Sequence, residues 1–324
     1  MLNNKIGIFL PGASGDIAHA MSVLKYKDIM WPGKDIIWFC NLLPQSHLGY
    51  PPRTDMLKFN DAISEVRHWP EGFRLSERCI EENLTVAAKG ELPWADFSVL
   101  MTADNRLNQE TKYNFESTKD LDEGYFPAPW LMPNRPPDTH YGDVSRIVYG
   151  ADNSLPWRPY LCFSDEEREK AKEFRATLPH DKTIMLETFM VSGDVHWTDD
   201  MTRNTMRLCR EKLGKCNFVF ACNKDYSRFF DDPGVVSCSH FTIRQCALIF
   251  NHCDLFIGVS SGISIAVSCW GNKPIPRIEW AGSPKISAAA HANGPVASIF
   301  FDEIPLPVAE LQLEQKLIET LKNI

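Results

Sequence analysis

The sequence of 324 residues has no long apolar run and an excess of acidic over basic residues. No stretch approaches the roughly 18 apolar residues of a membrane span, and the first residues lack the long apolar region of a secretory signal. We therefore expect a cytoplasmic protein. The net charge of −8 argues against a nucleic-acid partner, because proteins that bind nucleic acids usually present a basic field.

Paired metal-binding motifs are also missing. Seven of the ten cysteines fall between Cys209 and Cys269, but none forms a C-x-x-C pair, so a zinc site is not indicated. Their apolar surroundings predict buried free thiols. Asp120 and Asp122 form a D-x-D pattern of the kind that can hold a divalent metal. It lies in an irregular stretch, where we expect a solvated acidic loop. We expect no metal and no cofactor.

Short apolar runs alternate with helical patterns along the chain, which predicts an α/β protein with parallel sheets covered on both faces. The length accommodates two domains of about 150 residues each. We expect two Rossmann-like domains facing a central cleft, over residues 1–160 and 161–305, followed by a terminal helix over 306–324. The predicted strands are residues 5–10, 35–40, 97–102, 183–186, 217–221, 254–258, 274–278 and 297–301.

Two segments mark the boundary between the domains. Residues 116–159 are rich in proline, and we interpret them as irregular structure near the end of the first domain. Ser164 and Glu167 have the spacing of a capping box and predict the helix that opens the second domain. The terminal helix has apolar residues at helical spacing, and we leave open that it packs back on the first domain.

The first strand is followed by a turn that contains Gly12, Ser14, Gly15 and Asp16. Glycines allow a tight strand-to-helix turn and close approach of a ligand. Asp16 falls in the first helical turn, where a carboxylate facing a cleft can take a proton from an acceptor hydroxyl. Two other interpretations stay open. Asp16 can simply favour the helix dipole, or the turn can bind a dinucleotide, although the second strand ends without the acid that would hold the ribose.

A second small polar turn follows the strand at 254–258 and contains Ser260, Ser261, Gly262 and Ser264. Free N–H groups and hydroxyls there would suit a diphosphate. The simpler alternative is that Ser260 caps the following helix.

Three further residues are candidates for the donor side. Glu187 ends a strand of the second domain, and His196 lies after a strand of that domain, where it could contact the donor phosphates or the nucleotide base. Glu279 should lie just past a strand, where it could accept hydrogen bonds from ribose hydroxyls. Packing remains the alternative for His196 and for the neighbouring Trp197 and Trp280.

Together these motifs resemble the heptosyltransferases of glycosyltransferase family 9, which have the GT-B fold. The matching family patterns are G-D-x-x-H, D-K-x-W, E-L-A-A-L-I with D-L-x-I-G, and D-[ST]-G-x-x-H-x-A with G-K-P. They correspond to Gly15-Asp16-Ile17-Ala18-His19, Asp194-Val195-His196-Trp197, the run from Gln245 to Gly258, and the run from Ser260 to Pro274. Their order and spacing hold over nearly the whole chain.

The resemblance implies an inverting transfer of a sugar from a nucleotide-diphosphate donor, with Asp16 as base and His19 on the acceptor side. The implied acceptor is a hydroxyl of a glycan, a lipopolysaccharide-type molecule or a protein, and a lipid-linked acceptor would allow peripheral membrane association. The chain departs from the family pattern at Val195, Ser260 and Ile265, which leaves ADP-heptose, GDP-sugars and UDP-sugars open as donors.

Three other functions remain as alternatives. The first is a different GT-B activity, such as epimerisation or hydrolysis of a nucleotide sugar. The second is an NAD(P)-dependent oxidoreductase that uses the glycine-rich turn. The third is a binding protein that keeps the fold but has lost catalytic residues.

Overall fold

The computed structural model describes residues 4–10, 14–40, 53–68, 116–127, 139–189, 196–221, 226–229, 231–284, 287, 292 and 294–324. The chain divides into two compact units, Met1–Cys162 and Phe163–Ile324. The division lies close to the boundary that we expected after residue 160. Within the described helices, none combines the length and hydropathy that a membrane span requires.

The first unit has a four-stranded parallel sheet in the order β3-β2-β1-β4. Its strands are β1 (Lys5–Phe9), β2 (Asp35–Cys40), β3 (Ile63–His68) and β4 (Glu123–Tyr125). The two central strands are almost entirely buried, as their apolar sequences predict. The strand predicted at 97–102 lies outside the described residues.

Helices and 3₁₀ turns lie between and after the strands of the first unit. They are α1 (Ser14–Ala20), α2 (Lys27–Met30) and α3 (Tyr141–Tyr149), with 3₁₀ turns at Met21–Tyr26, Arg53–Leu57 and Glu116–Thr118. The prediction that residues 116–159 are irregular throughout was wrong, because this stretch contains β4 and α3. His140 caps α3 by accepting a hydrogen bond from the Gly142 N–H, and Gly150 ends the helix in the left-handed conformation.

The D-x-D segment is not a solvated acidic loop, and that expectation was wrong. Asp120 accepts hydrogen bonds from Lys5 at 2.6 Å and from Arg67 at 2.7 and 2.9 Å, and Asp122 pairs with Lys34. The hydrogen bonds from Arg67 hold the pKa of Asp120 well below its usual range. Both carboxylates therefore hold the segment before β4 to β1, to β3 and to the residue before β2.

The second unit has a six-stranded parallel sheet in the order β10-β9-β8-β5-β6-β7. The strands are β5 (Lys182–Glu187), β6 (Cys216–Phe220), β7 (Val235–Ser237), β8 (Leu255–Val259), β9 (Arg277–Ala281) and β10 (Val296–Phe300). Four of them are almost completely buried along their whole length: β5, β6, β8 and β9.

One predicted strand was displaced. We placed it at 274–278, but β9 begins at Arg277, and Glu279 and Trp280 lie within it rather than past its end. Pro274 and Pro276 explain the difference, because proline has no N–H to give to a sheet.

Helices cover the two faces of this sheet and bury separate apolar clusters. One cluster contains Ile184, Ile257 and Trp280 together with buried residues of the helices Asp199–Leu213 and Leu306–Leu321. The other cluster contains Met185 and Phe256. The helices are α4 (Asp165–Ala176), α5 (Asp199–Leu213), α6 (Ile243–Phe250), α7 (Gly262–Ala266) and α8 (Leu306–Leu321), with a 3₁₀ turn at Ser227–Phe229.

The predicted capping box of α4 is confirmed. The Ser164 side chain accepts from the Glu167 N–H at 3.2 Å, and the Glu167 carboxylate accepts from the Ser164 N–H at 3.1 Å. These bonds satisfy two N–H groups that would otherwise have no partner at the start of the helix.

The terminal helix α8 packs within the second unit. Its buried residues recur at helical spacing and join the same apolar cluster as Trp280, whereas we had left open packing on the first domain. They are Ala309, Leu313, Leu317 and Leu321.

The cysteines of the described residues are free, and all but Cys162 are buried. This confirms the prediction of buried thiols. Burial raises the pKa of Cys216 to about 11, so this thiol stays protonated and unreactive near neutral pH.

Candidate functional site

The first candidate site lies where β1 leads into α1. Asp16 occupies the first turn of α1 and is partly exposed, and Gly15 precedes it in the same turn. Ile17 and Ala18 of the same helix are fully buried and anchor it in the core of the first unit. In a parallel sheet this is the edge at which ligands bind, so the position suits a general base. Gly12 lies outside the described residues, and of Ser14 only the backbone is described.

A second histidine lies beside His19, and sequence analysis missed it. The rings of His19 and His140 meet edge to face with their centroids 6.0 Å apart, at the contact between α1 and α3. His19 is buried, and Ser145 donates a hydrogen bond to its carbonyl at 3.4 Å. No local sequence signal marks His140, because it follows the prolines near 136 and joins the site only through the packing of α3.

The second candidate site lies at the carboxyl ends of β5, β8 and β9. Glu187 ends β5 and is only 1% exposed. Its Oε1 accepts a hydrogen bond from the Phe189 N–H at 3.2 Å, and within the described residues its Oε2 has no hydrogen-bond partner. Burial raises the pKa of Glu187 to about 8, so the side chain is a neutral carboxylic acid at pH 7.

Glu187 belongs to a row of residues at one level of the sheet. It pairs with Gly258 on β8, Gly258 pairs with Glu279 on β9, and Glu279 pairs with Ser298 on β10. Strands in a sheet are about 4.8 Å apart, so the two acids are about 10 Å apart across a glycine. The register therefore brings together two candidates that the sequence separates.

Glu279 does not lie on an exposed loop as we expected. It is 3% exposed within β9, and its Oε2 accepts hydrogen bonds from Ser287 at 2.5 Å and from Ser298 at 3.4 Å. Its carboxylate is thus occupied by protein hydroxyls, which disfavours the expected direct role on a ribose.

In the turn between β8 and α7, serine hydroxyls and backbone groups form hydrogen bonds with one another. This corrects the expectation that the turn offers free donors. Ser261, not Ser260, caps α7: its side chain accepts from the N–H groups of Ile263 at 3.1 Å and Ser264 at 3.3 Å. The Ser264 hydroxyl accepts from the Ser261 N–H and donates to the Ser261 carbonyl, both at 2.7 Å. The N–H of Gly262 takes part in none of these bonds.

His196 and Trp197 differ in their surroundings. Trp197 is buried, donates to Thr202 at 2.9 Å and packs edge-on against Trp280, so the packing alternative holds for both tryptophans. His196 is exposed, has a positive φ of 47°, and lies edge-on against Phe301. Non-glycine residues with positive φ concentrate at functional sites. Val195, where the family pattern has a lysine, lies outside the described residues.

Potential metal ligands do not cluster among the described residues of either candidate site. Within the part of the chain that the structure describes, no group of three or more His, Cys, Asp or Glu side chains has the geometry of a metal site.

Comparison with solved structures identifies the fold. A family 9 glycosyl transferase from Veillonella parvula matches with a TM-score of 0.63 and 14% identity, over 100% of this chain and 98% of its own. The chain has the GT-B fold of these enzymes. The ADP-heptose lipopolysaccharide heptosyltransferase II of E. coli has a TM-score of 0.56 and 11% identity, over 97% and 99% of the two chains. E. coli heptosyltransferase WaaC with ADP has a TM-score of 0.51 and 13% identity, over 96% and 99%.

Sequence comparison alone does not reach these proteins. No protein-family model matches the chain, and no curated protein matches it by sequence. The resemblance to family 9 that rests on four short motifs is thus confirmed at the level of the fold.

Proposed function

We propose that this chain is an inverting glycosyltransferase that uses a nucleotide-diphosphate sugar as donor and a hydroxyl group as acceptor. The observation that carries the proposal is the full-length match to a family 9 glycosyl transferase, together with an acid, Asp16, in the first turn after β1. The donor nucleotide stays open between ADP, GDP and UDP. The acceptor is a glycan, a lipopolysaccharide-type molecule or a protein, with peripheral membrane association if it is lipid-linked.

In this mechanism Asp16 takes the proton of the acceptor hydroxyl. The acceptor oxygen then forms a bond to the anomeric carbon as the bond from that carbon to the diphosphate oxygen breaks. The nucleoside diphosphate leaves with the electron pair of the broken bond, and one displacement inverts the anomeric centre. A positioned base of this kind contributes roughly 10²–10⁴-fold to rate.

The donor diphosphate would bind beside the turn between β8 and α7. Because Ser261 and Ser264 bond to each other and to the backbone, their role is to fix the turn. We propose that the Gly262 N–H, the Ser260 side chain and the exposed His196 meet the phosphates. Since the neighbouring Glu187 is neutral at pH 7, it does not repel them.

A second candidate function is a nucleotide-binding protein without transferase activity. The observation that favours it is the same closed turn, whose hydroxyls are used within the protein. It differs from the first in one property, since it binds a nucleotide but does not break the bond to the sugar.

Calorimetry of the purified chain against ADP, GDP, UDP, CMP and NADP tests the donor site. We expect selective binding of one nucleoside diphosphate. Ser261→Asp keeps a good helix cap but places a negative charge at the turn, and it should weaken binding at least tenfold. Ser261→Asn, an equally good but neutral cap, is the matched control and should retain binding. Binding of NADP alone would indicate an oxidoreductase, and binding of no nucleotide would contradict the proposal.

A further inference from the structure

Glu187 lies at the edge of the sheet where the donor should bind, and no cation among the described residues compensates its charge. Within the described part of the chain, the Phe189 N–H is the one group that lowers its pKa, and burial outweighs it. Buried carboxylates normally have a cation or several hydrogen bonds, because an isolated buried charge is costly. This side chain is compatible with its surroundings only as the neutral acid.

The titratable groups that the described residues place near Glu187 supply no positive charge. Cys238 follows β7 and is influenced by the Glu187 charge, and its thiol lies 3.7 Å from that of Cys246 on α6. The hydrogen bond to Cys246, together with burial, raises the pKa of Cys238, so the Cys238 thiol is uncharged near neutral pH. Glu279 on β9, beyond Gly258, is a second acid rather than a compensating base.

Gly258 on β8 pairs with Glu187 on β5 and lies two residues before Ser260 in the donor turn. A Cβ atom at Gly258 would lie 2.9 Å from both the Cβ and the carbonyl oxygen of Glu187, so the two backbones are in direct contact. β8 ends one residue later, at Val259, and the turn at Ser260 follows at once. Because Glu187 is only 1% exposed, its ionised form would be a buried charge without water or a cation to compensate it among the described residues.

We infer that Glu187 is a positioning residue that keeps the donor side competent only in its protonated form, so that donor binding is lost as this side chain ionises. The inference rests on the proposed function, because it concerns the same nucleotide site. An ionised Glu187 would repel an anionic diphosphate bound at the turn that follows β8, and this repulsion makes the site sensitive to alkaline pH.

The test is calorimetry of the nucleoside diphosphate selected by the panel above, at pH 7, 8 and 9. The diphosphate itself changes little over this range, because its terminal phosphate ionises near pH 6. For the wild-type protein we expect binding about tenfold weaker at pH 9 than at pH 7, as one pH unit beyond the pKa predicts. Glu187→Gln, a neutral isostere, should bind as tightly at pH 9 as at pH 7.

Two further variants keep the outcome clear. Glu187→Met, a neutral apolar replacement, should also give a flat profile, so the test survives if either variant fails to fold. Glu166→Gln alters an exposed acid that pairs with Lys170 on α4, and it should keep the wild-type profile. Circular dichroism at pH 9 checks that each protein is folded. Equal pH profiles in the wild type and the Glu187 variants would overturn the inference, whereas no binding by any protein at pH 7 would contradict the proposed function instead.

Discussion

Arg244 and Glu167 form a buried ion pair that joins α6 to the first turn of α4. The guanidinium is fully buried, and its Nη1 lies 2.7 Å from Glu167 Oε2. Burial favours a raised pKa for Glu167, but the hydrogen bonds from Arg244 and from the Ser164 N–H lower it overall. The carboxylate that closes the capping box thus also neutralises the arginine.

Removing the arginine should be costly. Arg244→Ala leaves a partly buried carboxylate without its cation, and we expect a loss of about 3–5 kcal/mol in the free energy of unfolding. Lys170→Ala, which breaks an exposed pair with Glu166, is the control and should change stability by less than about 1 kcal/mol. Urea unfolding followed by tryptophan fluorescence measures both. Equal effects of the two variants would show that the buried pair contributes no more than a surface pair.

Glu187 should make the stability of the protein depend on pH. The unfolded glutamate ionises near its ordinary pKa of 4.5, whereas the folded one keeps its proton to about pH 8. The folded state therefore binds more protons between these values, and stability falls there by about 1.4 kcal/mol per pH unit. Relative to the wild type, Glu187→Gln should gain stability progressively from pH 5 to pH 8 and no further above it. Urea unfolding at four pH values measures the difference, and a constant difference would show that Glu187 ionises normally in the folded protein.

Gly258 should not tolerate a side chain. In Gly258→Ala the new Cβ would lie 2.8 Å from the Phe256 ring and 2.9 Å from the Glu187 backbone. Because these neighbours are buried, we expect a loss of about 1–3 kcal/mol from overpacking. Gly33→Ala gives a contrast: nothing lies within 4 Å of its Cβ, and its φ of +71° alone should cost about 1 kcal/mol. Thermal unfolding compares the two, and a smaller loss at Gly258 would contradict the close packing.

Asn217 should be among the residues on which the second unit depends most. It is fully buried on β6, and its amide nitrogen donates to the carbonyls of His180 at 2.6 Å and Lys182 at 3.0 Å and to the Thr183 hydroxyl at 3.0 Å. Asn217→Ala leaves these acceptors without their donor, and each buried unsatisfied group costs about 1–3 kcal/mol. We expect a loss of at least 2 kcal/mol in urea unfolding. A loss below 1 kcal/mol would mean that other donors replace the amide.

The central strands could be predicted from the sequence because strands buried on both faces have continuous apolar sequences. β4 could not, since Glu123–Tyr125 contains three residues without such a run and becomes a strand only by pairing with β1. β9 was displaced because apolar residues between prolines look like part of a strand, although the prolines cannot bond to it.

The residue types at the candidate site could be predicted from the sequence, but their hydrogen bonds and protonation states could not. A turn of serines and glycine can bind a phosphate or cap a helix, and only the geometry shows that Ser261 and Ser264 do the latter. The neutral state of Glu187 depends on its burial beside strands such as β8 that are distant in sequence, so no local pattern predicts it. Asp16 was accessible to prediction because its position follows from a strand, a glycine turn and a helix start.

Release of nucleoside diphosphate from ADP-, GDP- and UDP-sugars tests the transferase proposal most directly. The wild-type chain and Asp16→Asn are compared with glycan acceptors and with water as acceptor, after calorimetry has shown that both bind the nucleotide equally. We predict that the wild type releases one nucleoside diphosphate with inversion at the anomeric carbon, and that Asp16→Asn lowers kcat by roughly 10²–10⁴-fold. Undiminished turnover by Asp16→Asn would contradict the role of Asp16, and no release from any nucleotide sugar by the wild type would contradict the transferase proposal itself.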